Sequence, residues 1–276
     1  MRRLAIAVVI LTSCSTGPIG TTTSTAGPAT TTGPATSAVA ASRFGVIGWW
    51  DGDEWITPRT VFDVPVGGGE QYRVVSLDQP ITTAVGGAAT LCEPSATPII
   101  AFSPPLPGDH RQPGAIAVLA DWELRPQQLS VGGEVPAQHQ AAVIDVVGLL
   151  GIDDPAPTIT QFITVDLEGD GGTEIVLVAK RVPDDLLGGV GDYSVALLRK
   201  QIDGEWRTAT LESSLGVADN IYVVSHTIPA VVDLNGDGKM EIVVDGHYYE
   251  GAGTAAYEYV DDDLGPQVVL SGGCGA

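Results

Sequence analysis

The sequence predicts a mainly β domain of antiparallel, blade-like, four-stranded repeats: a small or incomplete propeller-like structure with one helix near 137–150. Three observations predict it. First, Asp-Gly pairs lie between alternating apolar runs. GVIGWWDGDEWITP (45–58) turns at Asp51-Gly52-Asp53, and ALLRKQIDGEWRTATLE (196–212) turns at Asp203-Gly204; Asp-Gly in that setting is the strongest short hairpin signal. Second, ITQFITVDLEGDGGTEIVLVAKR followed by DYSVALLRKQIDGEWRTATLES shares its plan with HTIPAVVDLNGDGKMEIVVDGHYY followed by AAYEYVDDDLGPQVVLS. Each reads strand, acidic loop, strand, then two more strands, which is the unit of a propeller blade. Third, only PAQHQAAVIDVVGLLGID (136–153) breaks the β pattern: Pro stands at a helix-start position, and Val143, Val146, Val147 and Leu150 fall at helical spacing.

Taken in order, the chain opens MRRLAIAVVILTSCS. Arg2 and Arg3, an apolar run from Leu4 to Leu11, and Thr12 and Ser13 before Cys14 describe an export signal whose run is too short to span a bilayer. Leu11-Thr12-Ser13-Cys14 resembles the lipobox of bacterial lipoproteins. The resemblance implies removal of 1–13, acylation of Cys14, and a lipid anchor at the extracytoplasmic face of the bacterial cell membrane; more than one acyl chain makes such an anchor stable. An ordinary secretory signal with an incidental Cys is the alternative. Residues 15–41 repeat GPAT and hold no charged or aromatic residue. Such a segment cannot bury enough apolar area to offset its chain entropy, so 14–41 reads as a lipidated Cys on a flexible stalk, open to glycosylation at Thr and Ser. Folded structure is expected from near Phe44, as a single β-rich domain over 42–276.

Within that domain further strands are expected at 71–77, 98–103, 115–122, 159–166, 173–180, 221–233, 240–249, 255–260 and 267–271. A weaker third copy of the repeat, without the acidic loop, is expected from Tyr72 to Val131. At the repeat spacing set by Asp166 and Asp233, the domain holds about three and a half units. A closed four-unit ring, an open stack of blades and a compact β domain with two similar hairpins all satisfy that count.

The two acidic loops carry the chemistry. In Asp233-Leu-Asn235-Gly-Asp237-Gly238-Lys239-Met-Glu241, side-chain oxygens fall at positions 1, 3, 5 and 9, and Gly238 permits the reversal that turns the Lys239 carbonyl inward. Asp166, Glu168, Asp170, Gly172 through its carbonyl, and Glu174 repeat the spacing. Calcium takes six to eight oxygens at about 2.3–2.6 Å, and such loops supply several. D-x-N-x-D-G-x-x-E between strands resembles the calcium loops of FG-GAP and VCBS repeats, whose relatives include the integrin α-chain propeller blades. The resemblance covers 160–180 and 227–249 well and the rest of 155–271 loosely; it implies up to two structural Ca2+ ions. Glu168 at position 3, Glu at position 9 in both loops, and the absence of clear Phe-Gly and Gly-Ala-Pro signatures depart from the family pattern. An EF-hand fits worse, because its twelfth position would be Leu177 or Val244. The competing reading is a pair of glycine-rich turns whose side chains bond their own backbone.

The composition bounds the rest. Loss of Arg2 and Arg3 leaves 11 Lys+Arg against 34 Asp+Glu, a net charge of −23, which repels nucleic acid and attracts divalent cations. With Cys14 assigned to lipidation, Cys92 and Cys274 are expected to pair in an oxidising compartment, since exported chains keep their disulfides. No H-E-x-x-H, G-x-S-x-G, Walker A or dinucleotide motif occurs, so no catalytic residue is assigned. His110, His139, His226 and His247 read as ordinary strand-end or core residues, and the five Trp as packing. Tyr248, Tyr249, Tyr257 and Tyr259 surround a Gly-rich stretch that suits a recognition loop. The expected role is binding or envelope scaffolding, with the membrane reached through Cys14 and an extracellular protein or glycan as partner. The alternative is a secreted carbohydrate-active hydrolase using acidic residues in a propeller cavity, which needs two carboxyls about 5–10 Å apart.

Overall fold

A computed structural model describes residues 37–93, 95–109, 112–154, 156–183, 188–218 and 222–275. Cys14 and most of the stalk lie outside the described residues. The domain is mainly β, as expected, with open antiparallel sheets and one described helix.

The two repeats form the two blades that the sequence plan requires. The first runs β11 (Ile159–Val165), β12 (Glu174–Arg181), β13 (Tyr193–Ile202) and β14 (Glu205–Leu215), with the short β10 (Leu129–Val131) added beside β11. The second runs β15 (Ser225–Val232), β16 (Glu241–Tyr248), β17 (Gly251–Tyr259) and β18 (Pro266–Gly275). Asp203-Gly204 forms the two-residue turn, with both residues at positive φ, 53° and 82°; this is the geometry that favours Asp-Gly in a tight hairpin. Pro229 cannot donate to a ladder, and the β15–β16 register shifts between Thr227 and Ala230. The Gln161 amide serves that bulge, accepting from the Ile228 amide at 2.8 Å and donating to its carbonyl at 2.9 Å.

The first half of the domain does not repeat this plan. β1 (Ala38–Ser42), β2 (Gly45–Trp50), β3 (Trp55–Ile56), β4 (Gln71–Val75), β5 (Thr82–Gly86), β8 (Phe102–Ser103) and β9 (Ile116–Leu119) form one sheet ordered β3-β2-β1-β9-β4-β5-β8. β6 (Thr90–Cys92) and β7 (Thr97–Ile99) form a separate hairpin. The expected third copy over Tyr72–Val131 is therefore corrected: β9 pairs with β1 and β4, and no meander forms. The start of the fold is corrected as well. Residues 38–41, assigned to the stalk, belong with Ser42 to a buried strand paired on both sides.

The three larger sheets stack face to face, with the second blade inside. One face packs Ala230, Val232, Val243, Ala256 and Leu270 against Ala38, Ile47, Ile116 and Val118 of the N-terminal sheet. The other packs Ile228, Ile242, Val244 and Tyr257 against Ile163, Val176, Ala196 and Leu198 of the first blade. Burial on both faces explains why β15 reads as a continuous run of buried residues, where a half-exposed strand would alternate. The helix α1 (Ala137–Leu149) covers the outer face of the first blade, with Val143 and Val147 against Leu177, Tyr193 and Leu197. It stops where Gly151 turns to φ 86° and the Ile152 amide bonds the Val147 carbonyl at 3.2 Å. Arg199 reaches the helix N-terminus, donating to the Gln138 carbonyl at 2.8 Å beside His139.

β18 lies so close to β2 that a Cβ on Gly272 would stand 2.6 Å from the Val46 carbonyl oxygen. Cys92 and Cys274 are disulfide-bonded with Cα atoms 5.9 Å apart, tying the last strand to the β6–β7 hairpin. The sheets remain open, so the architecture is a stack of incomplete blades.

Candidate functional site

Both acidic loops join the first two strands of their blade, and their backbones agree. Gly169 and Gly171 have φ 71° and 86°; Gly236 and Gly238 have φ 78° and 87°. Glycine at positions 4 and 6 thus supplies two left-handed residues that a side chain would strain. In the first loop the Asp166 carboxylate accepts the amides of Gly169, Asp170 and Gly171 at 2.7, 3.2 and 2.9 Å. In the second, Asp233 accepts those of Asn235, Gly236 and Gly238 at 3.2, 2.6 and 3.0 Å. The position-9 glutamates close the bends, Glu174 accepting the Leu167 amide at 2.8 Å and Glu241 the Leu234 amide at 2.7 Å. Asp170, Asn235 and Asp237 each accept the amide two residues on, those of Gly172, Asp237 and Lys239. The loops touch: the Met240 amide donates to the Leu167 carbonyl at 2.8 Å. Trp122 lies against Gly236 and donates its indole N–H to the Asp233 carbonyl at 3.1 Å.

These self-bonds are the glycine-rich-turn geometry set beside the calcium reading above. Among the described residues, no three His, Cys, Asp or Glu side chains stand together as a ready metal site. The electrostatics nevertheless separate the loops. Glu241 is fully buried, and burial pushes its carboxyl well above the usual range; the further charges acting on it are the carboxylates of Asp233, Asp237 and Glu258. Burial also raises Asp233 and Glu174, the latter opposed by the Leu167 amide and the Lys200 ammonium. A buried carboxylate without a cation is costly. The loops differ in their partners: the Lys200 ammonium pairs with Glu168 in the first, whereas the buried Glu241 of the second accepts the Leu234 amide.

Comparison with protein-family models, with curated proteins and with solved structures finds no significant match to this chain. The functional reading rests on the residues alone.

Beyond the loops, a cleft of about 510 Å³ opens between Glu212, Ser213 and Ser214 of β14 and the second blade. Its lining includes Gly246, Gly253 and Gly273, whereas Ile242 and Tyr257 of the same strands pack in the core. Small residues at one end of a packed face leave space that large ones close at the other. His226 lines the cleft 4.0 Å from the Glu212 carboxylate, and burial holds its imidazole neutral, with a pKa of about 4. The Tyr257 hydroxyl donates to Glu212 at 2.6 Å. Of the four tyrosines expected around a recognition loop, Tyr257 and Tyr259 are core residues, Tyr248 lines the cleft, and Tyr249 is exposed and stacked on Tyr222. A second hollow brings Glu54 and Asp63 beside Trp49 and Trp55. Sequence reasoning missed Lys200, which the spacing of acidic residues does not reveal.

Proposed function

We propose that this chain is a bacterial lipoprotein, anchored through Cys14 at the extracytoplasmic face of the cell membrane, whose calcium-stabilised β domain serves in binding or envelope scaffolding. The observation that carries the binding role is the cleft between the blades. It offers a carboxylate, a neutral imidazole, serine hydroxyls and a tyrosine to an extracellular protein or glycan, with an exposed tyrosine pair adjoining it in the chain. Calcium is supported by the buried, uncompensated Glu241. Asp233, Asn235, Asp237, Glu241 and the Lys239 carbonyl would hold the ion, which supplies charge compensation and fixes the blade's first turn. Among the described residues no helix is long and apolar enough to cross a membrane. The net charge argues against nucleic acid as a partner.

Fatty-acid labelling tests the anchor: label should enter the wild type and be lost in Cys14→Ser. Thermal unfolding tests the metal. Calcium at a hundredfold excess over Kd should add about 2.7 kcal/mol, raising Tm by about 5–10 °C over protein in chelator, and no shift at millimolar calcium removes the metal from this reading.

The Glu54, Asp63, Trp49 and Trp55 hollow gives the hydrolase reading its footing. Against it, the Thr60 and Arg59 amides hold the Asp63 carboxyl below its ordinary range, the opposite of what a general acid needs.

A further inference from the structure

A row of paired residues crosses the second blade where it faces β14. His226 of β15 is opposite Gly246 of β16, Gly246 is opposite Gly253 of β17, and Gly253 is opposite Gly273 of β18. Alternation along β17 puts Gly253 on the same face as Tyr257, whose hydroxyl reaches Glu212 of β14. Glycine weakens a strand interior and often marks a place where a ligand or another backbone comes close. Packing accounts for Gly246 and Gly273: a Cβ on the first would stand 2.9 Å from Val224 Cγ1, and one on the second 2.8 Å from the Ala252 carbonyl oxygen. It does not account for Gly253, where a Cβ would meet only backbone of β18, at 3.4 Å or more, and no side chain within 4 Å. Gly253 thus keeps open the floor of the cleft, whose volume of about 510 Å³ lies in the range of small-ligand sites.

His226 is an independent sign of a ligand. It lines the cleft and is 4% exposed, and its Nδ1 has no hydrogen-bond partner among the described residues. Its Nε2 stands 4.0 Å from Glu212 Oε2, too far for a hydrogen bond. A hydroxyl oxygen about 2.8 Å from both atoms fits that gap. With the imidazole proton on Nε2, the hydroxyl accepts from His226 and donates to the carboxylate, leaving only the Nδ1 lone pair unfilled. Without such a partner a buried polar group costs stability.

Charge narrows the ligand. No Lys or Arg is among the described residues lining the cleft, so nothing there pairs with an anion. Lys180, bonded to the Ser225 hydroxyl at 2.9 Å, adds its positive charge at His226 and opposes a ligand cation. Ser213, Ser214 and Ser271 in the lining suit neutral hydroxyl partners. Tyr248 lies across the end of the row, its hydroxyl 2.6 Å and 3.0 Å from where Cβ atoms on Gly275 and Gly251 would stand. The negative face of such a ring attracts the partly positive C–H groups of a sugar.

We propose that the cleft binds a neutral saccharide, with one sugar hydroxyl bridging His226 Nε2 and Glu212 Oε2 and the ring seated over Gly253 beside Tyr248. This rests on the binding role proposed above and narrows its partner to a glycan.

Ligand-observed NMR titration of the full chain tests it, using the methyl glycosides of glucose, galactose, mannose and N-acetylglucosamine, with glucosamine and glucuronate as cationic and anionic counterparts. Wild type should bind at least one neutral glycoside, and neither charged sugar as tightly. E212A, which removes the acceptor, and G253V, which fills the floor, should each bind that glycoside at least about tenfold more weakly, with urea midpoints showing that the variants fold. Tyr257 keeps a partner in E212A, since its hydroxyl also reaches the Leu211 carbonyl at 3.0 Å. Retention of the protein on delipidated cell envelopes separates the two claims. No bound glycoside, with retention lost in G253V, overturns the saccharide and keeps the binding role. No bound glycoside and equal retention of wild type and G253V overturn both. A glycoside bound equally by wild type and a folded variant, or a charged sugar bound as tightly as the neutral ones, also overturns the proposal.

Discussion

Replacing Cys92 and Cys274 together by alanine is expected to lower the stability of the oxidised protein by about 5 kcal/mol. The bond spans 182 residues and so constrains nearly the whole unfolded domain. In the chain-entropy view its stabilisation comes from that constraint more than from contacts in the folded state. The folded geometry should survive, because Leu270 remains packed against the N-terminal sheet and β18 keeps its ladder with β17. Urea unfolding of wild type and the double variant checks this. A much lower midpoint in the variant, matched by wild type in reductant, is the expected result; coincident midpoints would show that the sheet contacts alone hold the last strand.

Asp245→Asn should produce the second largest effect, and it depends on pH. Asp245 is fully buried on β16, accepts the Thr254 hydroxyl at 2.6 Å, and has Arg43 as the charge that favours its ionised form. Burial dominates and raises its pKa from 3.8 to about 7. The folded state therefore holds this proton more tightly than the unfolded chain does. The associated stability is complete below about pH 4, declines as pH rises, and is gone above about pH 7, a swing of about 4 kcal/mol. The neutral amide of D245N removes the swing. The stability of D245N relative to wild type should thus rise by about 4 kcal/mol between pH 4 and 8. His226, held near 4 by burial, has the opposite sign, costing stability as pH falls from 6.5 towards 4, but it is common to both proteins and cancels. Denaturant unfolding of both proteins across this range measures the difference, and a constant difference would mean that Asp245 is not desolvated.

Much of the fold was legible because its signals are local. Asp203-Gly204 marked a hairpin, the alternation around it set the strands, and the recurrence of the acidic loop divided 159–275 into two blades. The helix was legible because Val143 and Val147 recur at its period, and both are buried. The N-terminal sheet was not, because its pairing is long-range. β1 joins β9, far along the chain, and its sequence, Ala-Val-Ala-Ala-Ser, carries too little hydrophobic weight to stand out from the Thr/Gly/Pro segment before it. Tyr72–Val131 misled for the same reason: its hairpins look like a blade, but strand order is set by partners outside the segment. Within the loops, spacing identified the oxygens and the glycines with positive φ. It could not show which loop carries its own cation. Lys200 lies on another strand, and only the pairing of β12 with β13 brings it to the first loop, where it meets Glu168.

Anomalous scattering from crystals grown in calcium, collected at long wavelength, tests the central claim most directly. A peak is expected within about 2.3–2.6 Å of oxygens from Asp233, Asp237 and Glu241. No peak in the second loop would contradict the account.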